Sequence, residues 1–361
     1  MDKNTIINNR FFNSSLKSFF NDNQFNSQQI YCDIDSLSQF PKYQNCSVIN
    51  QIKNHNIFGD KYTHYNLLIQ NNHKSKYLLE TYLFDQINIQ KIKNIINKYP
   101  IWIIKPRNDY GRNGVTIVRN YNDIYNWINK FQKMEINNIK DSTPQWILQK
   151  YVDNPLLINK HKFHIRVYVI LHKKKNYINF FLYQKGFIYT AGNKYKWNSN
   201  DLKSHLSGED NPNRVTVFQT SHPLYHKIWN QIKDLVLKCI VPIYPYIQCP
   251  NINNQCYKFL GLDILIDNQY NLYLAEINSR LISLKYPPKN FKNDMYLDIL
   301  NQIYFNKSKM IELIYTNQPT SYTLQSIYEG FSYKSNKIKN LIIVIIFIII
   351  ITIIFIKIKY K

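Results

Sequence analysis

The chain has 361 residues, with 46 lysine and arginine side chains against 23 acidic ones, so its formal net charge at pH 7 is +23. This length suits one large core or two to three subdomains, and the positive charge favours anionic partners such as ATP, acidic peptides, membrane headgroups or nucleic acid. The sequence contains no internal repeat, no strong zinc-binding pattern among its five cysteines and no apolar stretch near residue 1. These features argue against a secretory signal and favour a reducing compartment.

The N-terminal and central parts of the chain differ in their patterns. Residues 1–95 mix short helical and strand-like runs without a recognisable motif. From residue 101, IWIIKP predicts a buried strand that ends at Lys105, RNDYGRNGV predicts a glycine-containing loop, and residues 115–118 predict another strand. An amphipathic helix is predicted over residues 122–134, and further strands are predicted in QWILQKYV and KFHIRVYVIL.

The C-terminal half begins with a polar segment and ends in a hairpin. Residues 195–213 are typical of a loop, and YHKIWNQIKDLVLKCIVPIY predicts a helix. Two strand-like runs follow in LDILIDNQYNLYLAEIN, residues 262–278, with a polar turn between them. Strands and helices in this mixed order predict an α+β fold rather than a doubly wound parallel sheet.

The strand KFHIRVYVIL has two different faces, because side chains alternate along a strand. One face carries only apolar residues and is predicted to be core: Phe163, Ile165, Val167, Val169 and Leu171. The other face carries three basic groups in a row, followed by an aromatic one: Lys162, His164, Arg166 and Tyr168. From the residues alone, this second face either meets water or lines an anion-binding cleft.

The hairpin places two acids where buried apolar residues are expected. A four-residue turn over residues 268–271 pairs Asp267 with Leu272, and the same register sets Asp263 directly opposite Glu276. Asn278 shares their face. Facing carboxylates repel each other unless a cation lies between them, and oxygen ligands of this kind suit Mg²⁺. The alternative is an edge hairpin whose polar face is solvated.

The C-terminus carries an apolar run, LIIVIIFIIIITIIFI, over residues 341–356. As a helix it would span about 24 Å, against a hydrocarbon core of about 30 Å. Lys339 and Lys357 bracket the run and can extend it by placing their ammonium groups at the interface. The sequence therefore predicts a single-pass tail anchor that leaves the rest of the chain in the cytosol; the alternative is a buried core helix.

Seven stretches, taken in order, resemble the tubulin–tyrosine ligase-like family of ATP-grasp ligases. They are WIIKP, YGRNGV, QKYVDNPLLI, KFHIR, SHLSG, GLD and EIN. The resemblance covers roughly residues 100–285 and implies an ATP-grasp fold, with the nucleotide cleft between two α+β subdomains. It divides the chain into an N-terminal α/β subdomain (1–100), a central ATP-grasp subdomain (101–185), a C-terminal ATP-grasp subdomain with the hairpin (186–325), and a linker with the anchor (326–361).

The resemblance also implies roles for individual residues. The residues expected to bind ATP are Lys105, Gln149, Lys150, Tyr151, Val152, Lys162 and His205. Within this set, residues 149–152 would form the adenine hinge, and Lys105 and Lys150 would meet the phosphates and the adenine side. Arg166, Lys162 and Glu276 would act on the reacting groups, and Asp263, Glu276 and Asn278 would hold Mg²⁺. A solvated strand-end lysine remains the alternative for Lys105 and Lys150, and a capping or loop histidine for His205.

Some positions depart from the family pattern. His164 stands where the family has aspartate in its K-F-D-I-R strand, Tyr189 lies near the place of a family arginine, and the family's H-L-T-N turn reads HLSG here. The residues expected to meet the substrate differ from the family pattern, whereas the residues expected to bind the metal are retained. Two functions therefore remain open. The first is a membrane-anchored ligase that joins a free amino acid to an acidic protein tail, tubulin being the family's usual substrate, through an acyl phosphate. The second is a weak or dead nucleotide-binding pseudoenzyme that docks membranes onto microtubules.

A nucleic-acid binder is a third reading of the basic, aromatic-rich composition. No recognised nucleic-acid-binding module is present in the sequence, so we expect no nucleic-acid partner. The amino acid that would be ligated is not encoded in these motifs.

Overall fold

The computed structural model describes residues 5–7, 31–33, 48–84, 89–108, 114–135, 146–174, 177–208, 212–250, 255–279 and 289–317. Met1–Thr316 forms one compact unit. The predicted tail anchor at residues 341–356 lies outside the described residues. Within the ranges just given, no helix is both long and apolar enough to cross a membrane.

A larger, ten-stranded sheet holds the hairpin. Its strands are β1 (Thr5–Ile7), β2 (Tyr31–Asp33), β3 (Val48–Ile49), β8 (Leu157–Ile158), β9 (His161–Lys174), β10 (Tyr177–Thr190), β11 (Val215–Phe218), β12 (Gln255–Ile266), β13 (Leu272–Asn278) and β14 (Ile311–Thr316). They run in the order β1-β2-β3-β12-β9-β10-β11, and β13, β14 and β8 pair with β12, β10 and β9, respectively. The long antiparallel strands β9, β10 and β12 therefore form the centre of this sheet.

A smaller, four-stranded sheet lies beside it in the same unit. Its strands are β4 (Thr81–Phe84), β5 (Trp102–Pro106), β6 (Thr116–Val118) and β7 (Trp146–Lys150), in the order β4-β7-β5-β6. The helices are α1 (Asn56–Gly59), α2 (Lys61–Gln70), α3 (Ile89–Ile96), α4 (Tyr121–Glu135), α5 (Leu202–His205), α6 (Pro223–Cys239) and α7 (Lys289–Phe305). The predicted strands and the helix at residues 122–134 are thus confirmed, with ends that differ by a few residues.

The hydrophobic cores show how helices cover the sheets. One face of the larger sheet packs against α2 and α6, and its other face packs against α7. The apolar face predicted for KFHIRVYVIL, from Phe163 to Leu171, is confirmed as part of the first of these cores. In the smaller sheet, Trp102 and Leu148 pack together with residues of α3 and α4. The opposite face of the smaller sheet packs against part of the segment that follows β10 and contacts the hairpin.

Helix α6 illustrates why these residues form a helix here. Pro223 occupies its first turn, and the His222 side chain caps it by accepting a hydrogen bond from the Leu224 backbone N–H at 3.2 Å. Its buried side chains recur at helical spacing: Tyr225, Ile228, Trp229, Ile232, Leu235, Val236 and Cys239. The helix ends at Cys239, before Pro242, which cannot continue it.

The mixture of helices with large, mainly antiparallel sheets confirms the α+β class. Residues 100 and 185 are two of the predicted subdomain boundaries. The smaller sheet contains strands from before and after residue 100, and the larger sheet contains strands from before and after residue 185. The four-part division of the chain stays a prediction. One expectation meets an opposing observation: Cys249 and Cys256 are joined by a disulfide, although reduced cysteines were expected.

Candidate nucleotide and metal site

The register of the β12–β13 hairpin brings the two acids together. Asp263 pairs with Glu276 and Gly261 pairs with Asn278, as predicted. The predicted turn is wrong by one residue, because Ile266, not Asp267, pairs with Leu272. A β-bulge at Ala275 takes up the difference, since Ile264 pairs with Leu274 while Asp263 pairs with Glu276. The acids therefore face each other because a bulge compensates for a turn that is one residue longer than predicted.

The bulge also connects the hairpin to the smaller sheet. The Ala275 carbonyl oxygen accepts a hydrogen bond from Lys105 Nζ at 3.1 Å, and the Leu274 N–H donates to the Tyr77 carbonyl oxygen at 2.8 Å. Burial lowers the pKa of Lys105 to about 8; the Lys61 ammonium acts in the same direction, whereas Glu276 and Asp263 oppose it. Lys105 is thus a cation with little water around it, held beside two carboxylates.

Asp263, Glu276 and Asn278 form a compact set of oxygen-bearing side chains. Asn278 Nδ2 lies 3.2 Å from Asp263 Oδ2 and 3.3 Å from Glu276 Oε1. Rotating this amide by half a turn would exchange its nitrogen for its oxygen, so that all three side chains could present oxygen atoms to a cation. Among the described residues, no group of three or more His, Cys, Asp and Glu side chains could hold a metal. The donor chemistry fits Mg²⁺ when phosphate oxygens supply further ligands, as is usual for this ion.

Arg166 binds the Asp263 carboxylate with two parallel hydrogen bonds. Its Nε and Nη2 donate to Oδ1 and Oδ2, each at 2.6 Å, and the two side chains are only 17% and 9% exposed. Burial alone would raise the pKa of Asp263, but the Arg166 guanidinium, the neighbouring His164 ring and the hydrogen bonds outweigh it and lower that pKa to about 2. Burial would likewise lower the pKa of Arg166, and Asp263 reverses this and raises it. Both groups are therefore charged at neutral pH.

Lys162, Tyr151 and His205 form a second buried cluster. Lys162 Nζ lies 3.6 Å from the centre of the Tyr151 ring. His205 Nε2 is 2.7 Å from the Ser199 carbonyl oxygen, which can only accept, so Nε2 carries a proton. The neutral ring then accepts at Nδ1 from the Tyr151 hydroxyl, 2.8 Å away. Burial lowers the pKa of His205 and lowers that of Lys162 strongly, with Lys105 adding to the second shift and Asp153 opposing it.

The predicted hinge residues point to different sides of the smaller sheet. Gln149 is buried and donates from Nε2 to Thr81 Oγ1 at 2.9 Å, and it lines one cavity together with Lys61 and Glu276. Val152 is buried just beyond the strand. The Lys150 side chain turns the other way, because strand neighbours alternate, and its Nζ lies 4.3 Å from the centre of the Tyr99 ring.

The structure thus gathers most of the predicted site residues at one place between the two sheets. These are Lys105, Gln149, Tyr151, Lys162, Arg166, His205, Asp263, Glu276 and Asn278. The Lys150 side chain lies on the opposite face of the smaller sheet from Lys105. The basic face of β9 is buried, which agrees with a cleft rather than a solvated surface.

Sequence reasoning missed Lys61, which lies in the N-terminal turn of α2. Its Nζ is 3.6 Å from Glu276 Oε2. Asp60 caps this helix by accepting from the Tyr62 and Thr63 N–H groups, and Arg107 donates its Nε to the same carboxylate at 2.6 Å. An aspartate just before a helical run is a readable cap signal. Nothing in the sequence relates that helix to the hairpin.

Two of the departures from the family pattern, His164 and Tyr189, are neighbours. They pair across β9 and β10, and their rings stack with centroids 5.0 Å apart. His164 Nδ1 is 2.7 Å from Ser207 Oγ, and its Nε2 is 3.5 Å from Asp263 Oδ1. Tyr189 also lies under the Arg166 guanidinium, at 5.5 Å. An aromatic pair therefore covers the side of the site where the resemblance implies an aspartate and an arginine.

The α+β fold, with lysine and arginine side chains facing an acid–amide set between two sheets, agrees with the family resemblance stated from the motifs. The sequence model of the tubulin-tyrosine ligase family matches residues 41–311. The chain therefore belongs to the tubulin-tyrosine ligase family, and the resemblance stated from its motifs is confirmed.

Comparison with individual proteins agrees with this assignment. Tubulin glycylase 3C of Tetrahymena thermophila is 27% identical over 222 residues, which is 53% of this chain and 20% of that protein. Human tubulin polyglutamylase TTLL7 is 21% identical over 281 residues, 68% of this chain and 29% of its own length. Human inactive polyglycylase TTLL10 is 23% identical over 240 residues, which is 55% of this chain and 34% of that protein. The matches thus span about a third or less of each of these relatives.

Proposed function

We propose that the chain is an ATP- and Mg²⁺-dependent ligase that joins a free amino acid to a carboxylate in an acidic protein tail, with tubulin as the leading candidate. The observation that carries the proposal is the meeting of Asp263, Glu276 and Asn278 with Lys105 and Arg166 between the two sheets. Family membership supports the ligase class, and similar proteins are named for glycylation and glutamylation of tubulin.

In this proposal each group acts through its charge and position. The tail carboxylate attacks the γ-phosphorus of ATP and ADP leaves, giving an acyl phosphate; the amine then attacks the acyl carbon, forming the amide and releasing phosphate. Lys105, Lys162 and Arg166 hold the phosphate oxygens, where negative charge is spread during transfer. Asp263, Glu276 and Asn278 would hold Mg²⁺, which neutralises phosphate charge when bound.

A nucleotide-binding protein without ligase activity is the second candidate. The stacked rings of His164 and Tyr189 favour it, because they replace charged groups beside the reacting centre with an aromatic surface. One of the similar proteins is itself named inactive. In this reading ATP still binds, and the protein docks a membrane onto microtubules.

One experiment separates the two candidates. The purified chain is incubated with Mg-ATP, tubulin and labelled amino acids tested singly, and ATP binding is measured in parallel. The ligase predicts amide incorporation that is lost in Glu276→Gln and kept in Glu312→Gln, a matched change on β14. ATP binding without incorporation of any amino acid supports the inactive protein. Absence of ATP binding overturns both candidates.

Membrane attachment through residues 341–356 is a separate part of the proposal. The support is the uncharged apolar run with Lys339 and Lys357 at its ends. The family-matched part of the chain would then lie on the cytosolic side. Alkaline carbonate extraction of membranes that contain the full-length protein tests this: retention in the pellet supports insertion, and release into the supernatant refutes it.

A further inference from the structure

Four exposed lysines and one exposed tryptophan lie on or next to the segment that joins β10 to Ser207. Lys194, Lys196 and Lys203 are exposed on this segment, and Lys160 is exposed on the turn before β9. Trp197 lies on the same segment, between Lys196 and Lys203 in the sequence, and is 48% exposed. None of these four lysines forms an ion pair with an acid among the residues that the structure describes.

The backbone of this segment is fixed to its surroundings. The Tyr195 N–H donates to the Lys160 carbonyl oxygen, and the Asn193 N–H donates to the Lys203 carbonyl oxygen, both at 2.8 Å. The Arg119 guanidinium donates to the carbonyl oxygens of Trp197 and Ser199 and to Asn200 Oδ1, at 2.6 to 2.8 Å. The surface is therefore preorganised, which lowers the entropic cost of binding a partner.

Both ends of the segment reach the candidate site. The Ala191 N–H donates to the Lys162 carbonyl oxygen at 2.7 Å, and Ala191 forms a β-bridge with Ser207. His205, near the end of the segment, contacts the Tyr151 hydroxyl. The lysines and Trp197 thus lie on the same short segment as residues that touch the predicted ATP-binding groups.

We infer that Lys160, Lys194, Lys196, Trp197 and Lys203 form a docking surface for an acidic peptide, which we call the lysine–tryptophan surface. This inference deepens the proposed function and rests on it, because it locates the segment of an acceptor tail outside the reacting carboxylate. The carboxylates of an extended, glutamate-rich peptide meet the lysine ammonium groups. The Trp197 indole packs against the methylene groups of the glutamate side chains.

Within residues 192–208, all of which the structure describes, the one acidic residue is Asp201, and its side chain is already hydrogen-bonded. Asp201 accepts from Asn193 Nδ2 at 2.7 Å and caps α5 through the Lys203 N–H at 3.0 Å. A peptide is favoured over a single-stranded nucleic acid, because proteins that bind the latter stack successive bases on several aromatic side chains. In residues 192–206, which the structure describes without a gap, Trp197 is the only exposed aromatic residue.

The test measures binding of a fluorescein-labelled glutamate decapeptide to the full chain by anisotropy, at low salt and without nucleotide. The charge-reversal variant Lys194→Glu/Lys196→Glu/Lys203→Glu is compared with Lys74→Glu/Lys307→Glu/Lys309→Glu, which makes the same charge change at exposed lysines elsewhere. We expect the first variant to weaken binding at least tenfold beyond the second, because three contacts become repulsive. Trp197→Ala should weaken binding at unchanged net charge.

Each outcome bears on a different statement. Equal affinities of the two charge-reversal variants overturn the docking surface, and so does tighter binding of a single-stranded oligonucleotide that the first variant abolishes. ATP binding is measured on all variants and should not change, which also shows that they are folded. If wild-type protein fails to bind ATP while the peptide effect stands, the proposed ligase fails and the docking surface survives. If ligation works and the peptide effect is absent, only the docking surface fails.

Discussion

Replacing Asp263 by asparagine tests the ion pair at the centre of the candidate site. The change keeps the shape of the side chain but removes the charge that faces Arg166, whose side chain is only 17% exposed and whose two bonds to Asp263 are 2.6 Å long. Removing one partner of a buried pair leaves the other charge desolvated and costs about 3–5 kcal/mol. Because the asparagine side chain keeps a carbonyl oxygen that can accept one of the Arg166 hydrogen bonds, we expect the lower end, about 3 kcal/mol.

Urea unfolding followed by tryptophan fluorescence measures this loss as a shift of the midpoint at constant slope. The control is Asp267→Asn in the turn of the same hairpin. Asp267 accepts hydrogen bonds from the backbone N–H groups of Gln269 and Asn271, and asparagine can still accept them through its carbonyl oxygen. We therefore expect the control to cost less than about 1 kcal/mol.

A double variant, Arg166→Met with Asp263→Leu, removes both charges together. Because well-packed apolar residues often replace a buried ion pair without loss, it should be more stable than Asp263→Asn alone. If Asp263→Asn unfolds within 1 kcal/mol of the wild type, Arg166 is not held by Asp263 in solution, and the explanation of both charge states is incorrect.

Three further predictions follow from single contacts. Lys105→Met should lower ATP affinity at least tenfold, because the ammonium that would meet phosphate is lost. The free energy of unfolding should change by less than about 1 kcal/mol, because removing a buried charge offsets the lost hydrogen bond to Ala275; calorimetry and urea unfolding measure the two quantities. The depressed pKa of Asp263, about 2 against 3.8, stabilises the fold above pH 4, and about 2 kcal/mol should disappear as the pH falls from 4 to 2, measured by urea unfolding at each pH. Gly186→Ala should cost about 1–3 kcal/mol in the same assay, because its Cβ would lie 2.3 Å from the Arg166 carbonyl oxygen.

Each of these has an outcome that contradicts it. For Lys105, unchanged ATP affinity would exclude a phosphate contact. For the pH dependence, Asp263→Asn is the control. If the free energy of unfolding falls equally in wild type and variant between pH 4 and 2, the effect belongs to other carboxylates. For Gly186, a wild-type midpoint in the alanine variant means that β9 and β10 can separate without cost at their bulge.

The hairpin shows how far the sequence can predict this site. Alternation along β9 and β12 is a local property, so the faces of Phe163, Arg166 and Asp263 could be predicted from the residues. The predicted turn is one residue too short, and the bulge at Ala275 restores the predicted pairing of the two acids. A bulge depends on what contacts the freed carbonyl, here Lys105 from another sheet. That contact is not local and leaves no mark in the hairpin's own residues.

Contacts between distant segments explain the other differences. Lys150 and Lys105 both follow strand-like runs and look equivalent in the sequence, yet the strand register puts them on opposite faces of the smaller sheet. Lys61 looks like an ordinary residue in the first turn of a helix, and only the packing of α2 beside β13 brings it to Glu276. The order of the motifs can be read directly from the sequence, and it identifies the family. The positions of these lysines in the site depend instead on how distant segments pack.

The bond between Lys105 and the Ala275 carbonyl acts as a latch between the two sheets. The sheets cannot swing apart without releasing it, and an arriving phosphate would compete with that carbonyl for the same ammonium. Opening of the cleft and binding of the nucleotide would therefore both involve the Lys105 ammonium. A phosphate bound there would weaken the hydrogen bond that joins the smaller sheet to the hairpin.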